Sequence, residues 1–386
     1  MKTDVIIVSM KIGLVCPYSV TKHGGVLDVI QALRDHLTTR GHTVRIITPR
    51  PYDFTGPDDD FIFIGQGHDI TVSVLKTTGQ ISSAERLAAA EMLARERFDV
   101  LHFHEPWVPF LSTQLLQANQ TLTQRARTVG TFHARLPNSL SAKAFARLFR
   151  FYTKPTLRYL DTLTAVSSDA SRHLRQLTKR DIEIIPNGVE LKRFSRPSVR
   201  KSSTTAAPKR NTKTILFVGR LEPRKGVKYL VKAFHELSRR HDNVQLVIGG
   251  DGVDRPSLEK LVADRQIPHV EFLGRFEEEQ KPALLQSADI FCSPALYGES
   301  FGIVLIEAMA ADTPVVAGDN PGYSSVLTGA GAISLVNPRQ TTAFADKLEE
   351  FLYDDALRRE WLAWAQSEIN QYSYDTVTAA YEETYQ

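Results

Sequence analysis

The sequence predicts an α/β protein of two doubly wound domains facing each other across a cleft. Three observations predict it. Short β-branched runs alternate with helical patterns along the whole chain. The runs are nearly continuous in apolar residues, as strands of parallel sheets covered on both faces are. The 386 residues, 42% hydrophobic, suffice for two cores, since a domain takes about 100–200 residues.

In the first half the strands are 12–16, 44–47, 99–103, 129–132 and 163–166. In the second half they are 214–218, 244–248, 270–273, 289–292 and 314–317. Residues 196–213 hold Ser, Thr, Ala and Pro with six Lys or Arg and no acid, a composition that builds no core. The expected organisation is therefore an N-terminal acceptor-side domain over 10–195 and a linker or exposed loop over 196–213. A C-terminal domain over 214–371 follows. An aromatic helix over 372–386 closes the chain and returns to the N-terminal domain. The first nine residues are expected to lie outside the fold. Doubly wound sheets bind ligands at the carboxyl ends of their strands, so the active site is expected in the cleft.

Composition removes several function classes. A net charge of +3, with no DNA- or RNA-binding signature, gives no case for nucleic acid. The two cysteines, Cys16 and Cys292, sit in apolar runs and read as buried thiols rather than a disulfide framework. No apolar run approaches the roughly 18–20 residues of a membrane span, and the apolar core Val5 to Val8 is too short for a signal peptide. The expected location is cytoplasmic.

Chemistry begins after strand 214–218. Gly219-Arg220-Leu221-Glu222-Pro223-Arg224-Lys225-Gly226 is a glycine-bounded basic loop that opens a helical pattern. Backbone N–H groups and the helix dipole favour an anion there, and Arg220 and Lys225 add cations. The competing reading is a solvated loop with incidental charges. Farther on, Glu299 and Glu307 stand eight positions apart with Gly302 between them. The intervening N–H groups can face a phosphate while the two acids accept from sugar hydroxyls. On spacing alone, a helix start with one exposed acid explains the pattern better.

Taken together, Gly-Arg-x-x-x-x-Lys-Gly and Glu-Ser-Phe-Gly-x-x-x-x-Glu resemble the family 4 retaining glycosyltransferases of the GT-B fold, with two Rossmann-like domains. Supporting segments occur in order: His-Gly-Gly-Val (23–26), Phe-His-Glu-Pro (103–106), Thr-Phe-His (131–133), Ala-Val-Ser (165–167), Ile-Pro-Asn-Gly-Val (185–189) and Gly-Gly-Asp-Gly (249–252). The resemblance covers residue 10 to the C-terminus. It implies that Arg220 and Lys225 grip a donor diphosphate, Glu299 contacts the donor sugar and Glu307 the ribose. Phe301, Gly302, Ile303 and Val304 would offer backbone N–H groups. Gly24 and Gly25 would let a loop approach the diphosphate without a side chain in the way. His133 would lie beside the transferred sugar. The nucleotide-sugar is then a substrate, and fixed cations stabilise the leaving diphosphate, so no metal or other cofactor is expected.

Two patterns could suggest a metal. Asp58-Asp59-Asp60 contains an Asp-x-Asp but follows Gly56-Pro57 in a polar stretch and reads as a solvated turn. His102 and His104 share one strand, yet no Cys or further His lies close enough in sequence to complete a site.

The segments 10–19 and 298–309 resemble actinobacterial phosphatidylinositol mannosyltransferases most, which implies GDP-mannose as donor and a lipid acceptor reached by Tyr18 and Arg135. The chain departs from that subfamily at Ala134 to Asn138, where hydroxyl residues and a Lys are usual, and at 83–97, where a basic cluster is usual. A different basic surface stands instead. Lys143, Arg147, Arg150 and Lys154 recur at helical spacing beside Phe145, Leu148, Phe149 and Tyr152, with no acid between Arg135 and Arg158. That pattern suits an anionic membrane surface on the inner face of the cell membrane. It also suits a packed helix with a solvated basic face. The alternatives are a UDP-sugar enzyme acting on another lipid or a small metabolite, and a nucleotide-sugar-binding protein without catalysis.

Overall fold

The structure, a computed structural model, describes residues 9–18, 20, 25–51, 60–72, 77–83, 85–108, 110–133, 150, 151, 153–195 and 212–386. The chain divides into two compact units, 1–188 with 374–386, and 189–373.

The first unit is built on an eight-stranded sheet. Its strands are β1 (Lys11–Val15), β2 (Thr43–Arg50), β3 (Phe61–Val72), β4 (Thr77–Ser83), β5 (Val100–His104), β6 (Arg127–Phe132), β7 (Thr162–Ala165) and β8 (Glu183–Ile184). The order is β4-β3-β2-β1-β5-β6-β7-β8, parallel except for the β3–β4 hairpin. The second unit carries β9 (Lys213–Val218), β10 (Val244–Gly249), β11 (Val270–Gly274), β12 (Ile290–Ser293), β13 (Val315–Gly318) and β14 (Leu335–Val336). These run parallel in the order β11-β10-β9-β12-β13-β14. Both sheets are thus Rossmann-like, as the alternation of apolar strands and helices predicts.

All ten strands expected from the sequence are present. The hairpin β3–β4 has no counterpart in the sequence reading. Beyond Ile64 its residues are mostly Gln, Gly, His, Asp, Thr and Ser, with Ile70, Val72 and Ile81 isolated among them, and an edge hairpin does not need the apolar run that marks a strand buried on both faces.

The connectivity creates one switch point in each sheet. β1 lies between β2 and β5, and β9 lies between β10 and β12. Chain leaving β1 and β5 diverges to opposite sides, as does chain leaving β9 and β12, so each pair opens a crevice beyond its carboxyl ends.

The units change at Gly188–Val189 rather than at residue 195. Residues 189–195 join the second unit because the short helix Leu191–Phe194 is fastened there: Gln286 Nε2 donates to the Phe194 carbonyl at 2.7 Å. Ser9 belongs to the fold, since its hydroxyl donates to the Gly41 carbonyl at 2.8 Å. Residues 1–8 and 196–211 lie outside the described residues; of the linker expected over 196–213, Lys213 already opens β9.

The last helix, Tyr374–Tyr385, belongs to the first unit. Val377, Tyr381 and Tyr385 share one core with Ile12, Leu14, Ile30 and Leu33. Arg40 and His42 also hold Glu382, at 2.6 and 2.9 Å. Burying one large apolar side chain contributes roughly 1.5–3 kcal/mol, whereas Glu382 and His42 are themselves buried, so their pairing mainly offsets the cost of desolvating the charge. The apolar stripe therefore anchors the helix and the charges orient it.

Candidate active site

In the second unit, β9 ends at Val218 and the chain turns at Gly219 into a short 3-10 turn, Pro223–Lys225. Gly226 then starts the helix Val227–Ser238 with φ +70°. A side chain at 226 would collide with the Pro294 carbonyl at the end of β12, so glycine is what lets this loop close on the switch point. The opposite wall is the loop 294–302 and the helix Ile303–Ala310. Gly302, at φ +108°, opens that helix without a side-chain cap, and a Cβ there would lie 2.7 Å from the Tyr323 ring. An uncapped helix start points its first N–H groups at the crevice, where they suit an anion. Tyr323 is itself fixed, its hydroxyl 2.7 Å from Ser293 Oγ and its N–H donating to the Asn320 side chain at 3.1 Å. Phe301 is buried, its ring edge-on to Tyr372 with centroids 5.8 Å apart.

The charged groups meet around Glu299. Arg224 Nη1 reaches Glu299 Oε1 at 2.6 Å and Lys225 Nζ reaches the same oxygen at 2.9 Å. Arg224 Nε and Arg220 Nη1 each lie 2.9 Å from Glu222, on its two different oxygens. Three cations thus face two carboxylates, which leaves the loop net positive. Burial works against the Arg224 charge, but Glu299 and Glu222 outweigh it and hold its pKa up. Lys225 and Glu299 side chains are each 13% exposed, whereas Arg220 is 66% exposed. Of the two cations the resemblance singles out, Lys225 is embedded in the ion network and Arg220 sits on its rim. Arg224, which the sequence reading does not single out, contacts both carboxylates. Its signal was present, a third cation in a glycine-bounded loop, but only the folded turn tells which two of the three cations reach Glu299 and which stays on the rim.

Glu307 lies one helical turn inside the helix Ile303–Ala310. Its Oε1 accepts from Lys281 Nζ at 3.0 Å, and its Oε2 is buried with no hydrogen-bond partner among the described residues. Burial raises its pKa, and Lys281 opposes that only in part. Lys281 also reaches Glu278 at 2.6 Å, and these acids keep it charged although burial works against it. No local sequence pattern announces Lys281, which comes from another element. A buried carboxylate oxygen with an unused lone pair is an acceptor suited to a ligand hydroxyl.

The first unit gathers neutral imidazoles around one buried carboxylate, Glu105. β5 ends in His102, Phe103 and His104, and β6 leads into His133. His102 is engaged at both ring nitrogens, Nδ1 by Tyr385 Oη at 2.8 Å and Nε2 by Thr131 Oγ1 at 2.6 Å. The His104 ring stacks obliquely on it at 4.2 Å, and His104 Nδ1 lies 2.9 Å from His133 Nε2. Burial holds His102 down to about 3 and His133 down to about 4, the latter opposed by a hydrogen bond with Asn187, and holds His104 well below the ordinary range. Glu105, at φ +52°, accepts the His133 N–H at Oε1 and the Trp107 indole N–H at Oε2. Tyr18 follows β1; Thr48 and Cys16 both donate to its carbonyl. Its phenol is raised well above the ordinary range by burial and then by Glu105.

Gly25 begins the helix Gly25–Thr39, while Gly24 and Arg135 lie outside the described residues. Of the basic stripe, Arg150 and Lys154 are described, and both are exposed. Lys143 and Arg147 lie outside, as do Asp58 and Asp59; Asp60 is described and pairs with Arg34 at 2.7 Å. Among the described residues no helix is long and apolar enough to cross a membrane.

Comparison with known proteins identifies the family. The family described as Glycosyltransferase Family 4 matches residues 23–193, and Glycosyl transferases group 1 matches 200–367. Phosphatidyl-myo-inositol mannosyltransferase of Mycobacterium leprae is 34% identical over 96% of this chain and 95% of its own. The same-named protein of Propionibacterium freudenreichii is 32% identical over 83% of this chain and 80% of its own. Among solved structures, sucrose-phosphate synthase of Thermosynechococcus elongatus superposes with a TM-score of 0.76 at 20% identity, covering 97% of this chain and 98% of the other. A glycosyltransferase of Rickettsia africae gives 0.75 at 20%, covering 98% of both.

Proposed function

The chain belongs to glycosyltransferase family 4 and is a glycosyltransferase, and we propose that it transfers mannose, with retention, from GDP-mannose to a phosphatidylinositol-type lipid. The observation that carries the sugar and the acceptor is the likeness, along nearly the whole chain, to phosphatidyl-myo-inositol mannosyltransferases. The donor loop supports the nucleotide-sugar part. A net positive cluster next to an uncapped helix start suits a diphosphate, and the unused oxygen of Glu307 suits a ribose hydroxyl.

In this reading the diphosphate takes over Arg224 and Lys225 from Glu299, with Arg220 closing from the rim. Glu299, released from its cations, turns to the sugar hydroxyls. The bond between the anomeric carbon and the diphosphate oxygen breaks while the acceptor oxygen bonds to that carbon from the same face. The acceptor proton passes to the departing phosphate. Charge on the leaving group grows throughout, and fixed cations with N–H donors stabilise it without a metal. His133, neutral at physiological pH, lies at the sugar as a hydrogen-bonding group and not as a charge.

The acceptor reading places the protein against the inner face of the membrane, with the basic stripe that includes Arg150 and Lys154 toward anionic lipid. Radiolabelled GDP-mannose and UDP-glucose, each offered with phosphatidylinositol vesicles and with neutral vesicles, test the whole reading. Label from GDP-mannose should enter the lipid extract, and the protein should pellet with the anionic vesicles more than with the neutral ones. Label transferred from UDP-glucose alone, or never into lipid, overturns the donor and acceptor in turn.

A further inference from the structure

Three buried imidazoles stand in a row in the first unit, and only His133 has a part in the reaction as read above. The other two are not filler. His102 is fixed at both nitrogens by Tyr385 and Thr131, so it is a rigid floor. His104 rests on that floor with its ring centroid 4.2 Å away and presents Nδ1 to His133 Nε2 at 2.9 Å.

One of those two nitrogens carries the shared proton, and the surroundings decide which. His104 Nε2 is buried with no hydrogen-bond partner among the described residues. A buried N–H left without an acceptor is rarer in folded proteins than a buried lone pair left unused. The His104 proton therefore sits on Nδ1 and is donated to His133 Nε2. His133 must then carry its own proton on Nδ1. That N–H is then the ring's remaining donor for the sugar. The backbone of His133 is held separately, its N–H donating to Glu105 Oε1 at 2.8 Å.

We propose that His104 is a positioning residue: by donating from Nδ1 to His133 Nε2 it fixes the ring plane of His133 and locks it as the Nδ1–H tautomer. His133 then meets the transferred sugar with its ring already oriented, which spares a reorganisation during the reaction. The inference rests on the place given to His133 beside that sugar.

The test uses the full chain and two substitutions. His104→Asn keeps an amide N–H where Nδ1 stood, whereas His104→Phe keeps the ring and removes the donor. His104→Phe should lower kcat by on the order of 10²-fold with the donor KM little changed, and His104→Asn should recover most of that loss. Ring ¹⁵N spectra, with His133 assigned by difference from His133→Gln, should show Nδ1 protonated and Nε2 bare in the wild type, and a mixture of tautomers in His104→Phe. Equal loss in both variants, each with a wild-type melting profile, overturns the proposal. So does an Nε2–H signature for His133 in the wild type. The spectra need no substrate, so a wrong choice of donor or acceptor shows only in the kinetic arm.

Discussion

The two units carry opposite chemistry beyond the carboxyl ends of their strands. The second concentrates charge: Arg224 and Lys225 share one oxygen of Glu299, and Lys281 holds Glu307. The first relies on neutral rings: His102, His104 and His133 are buried and kept neutral by that burial, with Glu105 as the carboxylate beside them. Under the proposed function, the difference follows from what each half meets. A diphosphate leaving group needs fixed cations, and those cations must be kept in place by carboxylates that can let go. A sugar ring carries no charge, so oriented neutral donors and acceptors suffice, and orientation comes from packing and hydrogen bonds. Charge can be exchanged between partners, whereas orientation has to be built in.

The comparison breaks first at the cations. Lys225→Ala or Arg224→Ala should lower kcat by roughly 10²–10³, the scale of losing one preorganised donor to a developing anion. Arg220→Ala, on the exposed rim, should cost less. Steady-state rates that rank Arg220 above both would move the centre of the clamp.

A smaller effect separates the carboxylates. Glu307→Gln removes a contact made equally before and during reaction, so donor KM should rise about tenfold with kcat nearly unchanged. Glu299→Gln releases Arg224 and Lys225 from their counter-ion and removes a sugar contact, so it should act mainly on kcat. Identical changes in KM and kcat for the two variants would sink the division of roles.

Acidification sharpens the comparison at lower amplitude. The histidines have folded-state values depressed below the ordinary 6.5, so the unfolded chain binds more protons. Stability of the first unit should fall as pH drops below about 6.5, and continue to fall toward the folded values near 4 and 3. Glu307 has a raised pKa, so in the second unit its contribution has the opposite sign and stabilises as pH falls. Calorimetry from pH 7 to 4 should show the first unit's transition moving down by on the order of 5–10 °C and the second moving less. Two transitions that move together would deny the contrast.

The smallest expected effect is none. With cations at the leaving group, excess EDTA should leave turnover unchanged. Loss with EDTA, restored by Mn²⁺ or Mg²⁺, would transfer that role to a metal.

Much of the charged cluster in the second unit was readable in order along the chain, because a strand, a basic turn and a helix start are local. Lys225, Glu299 and Glu307 all come from such patterns. Arg224 was hidden among like neighbours. Lys281 was invisible because its partner Glu307 lies on another element, 26 positions away. The histidines were visible as residues but not as a chain. His102 and His104 alternate along one strand and His133 comes 29 positions after His104, so only the pairing of β5 with β6 brings them together.

The sequence by itself determined the two parallel sheets, since apolar runs of strand length separated by amphipathic helices have few other ways to bury both faces. It also determined the residue types at the two switch points. Only the tertiary structure decided which cation points inward, which carboxylate oxygen is left over, and which histidine nitrogen carries the proton. Those depend on distances of a few ångströms between residues remote in sequence. Local propensity sets no such distance; strand order and register do.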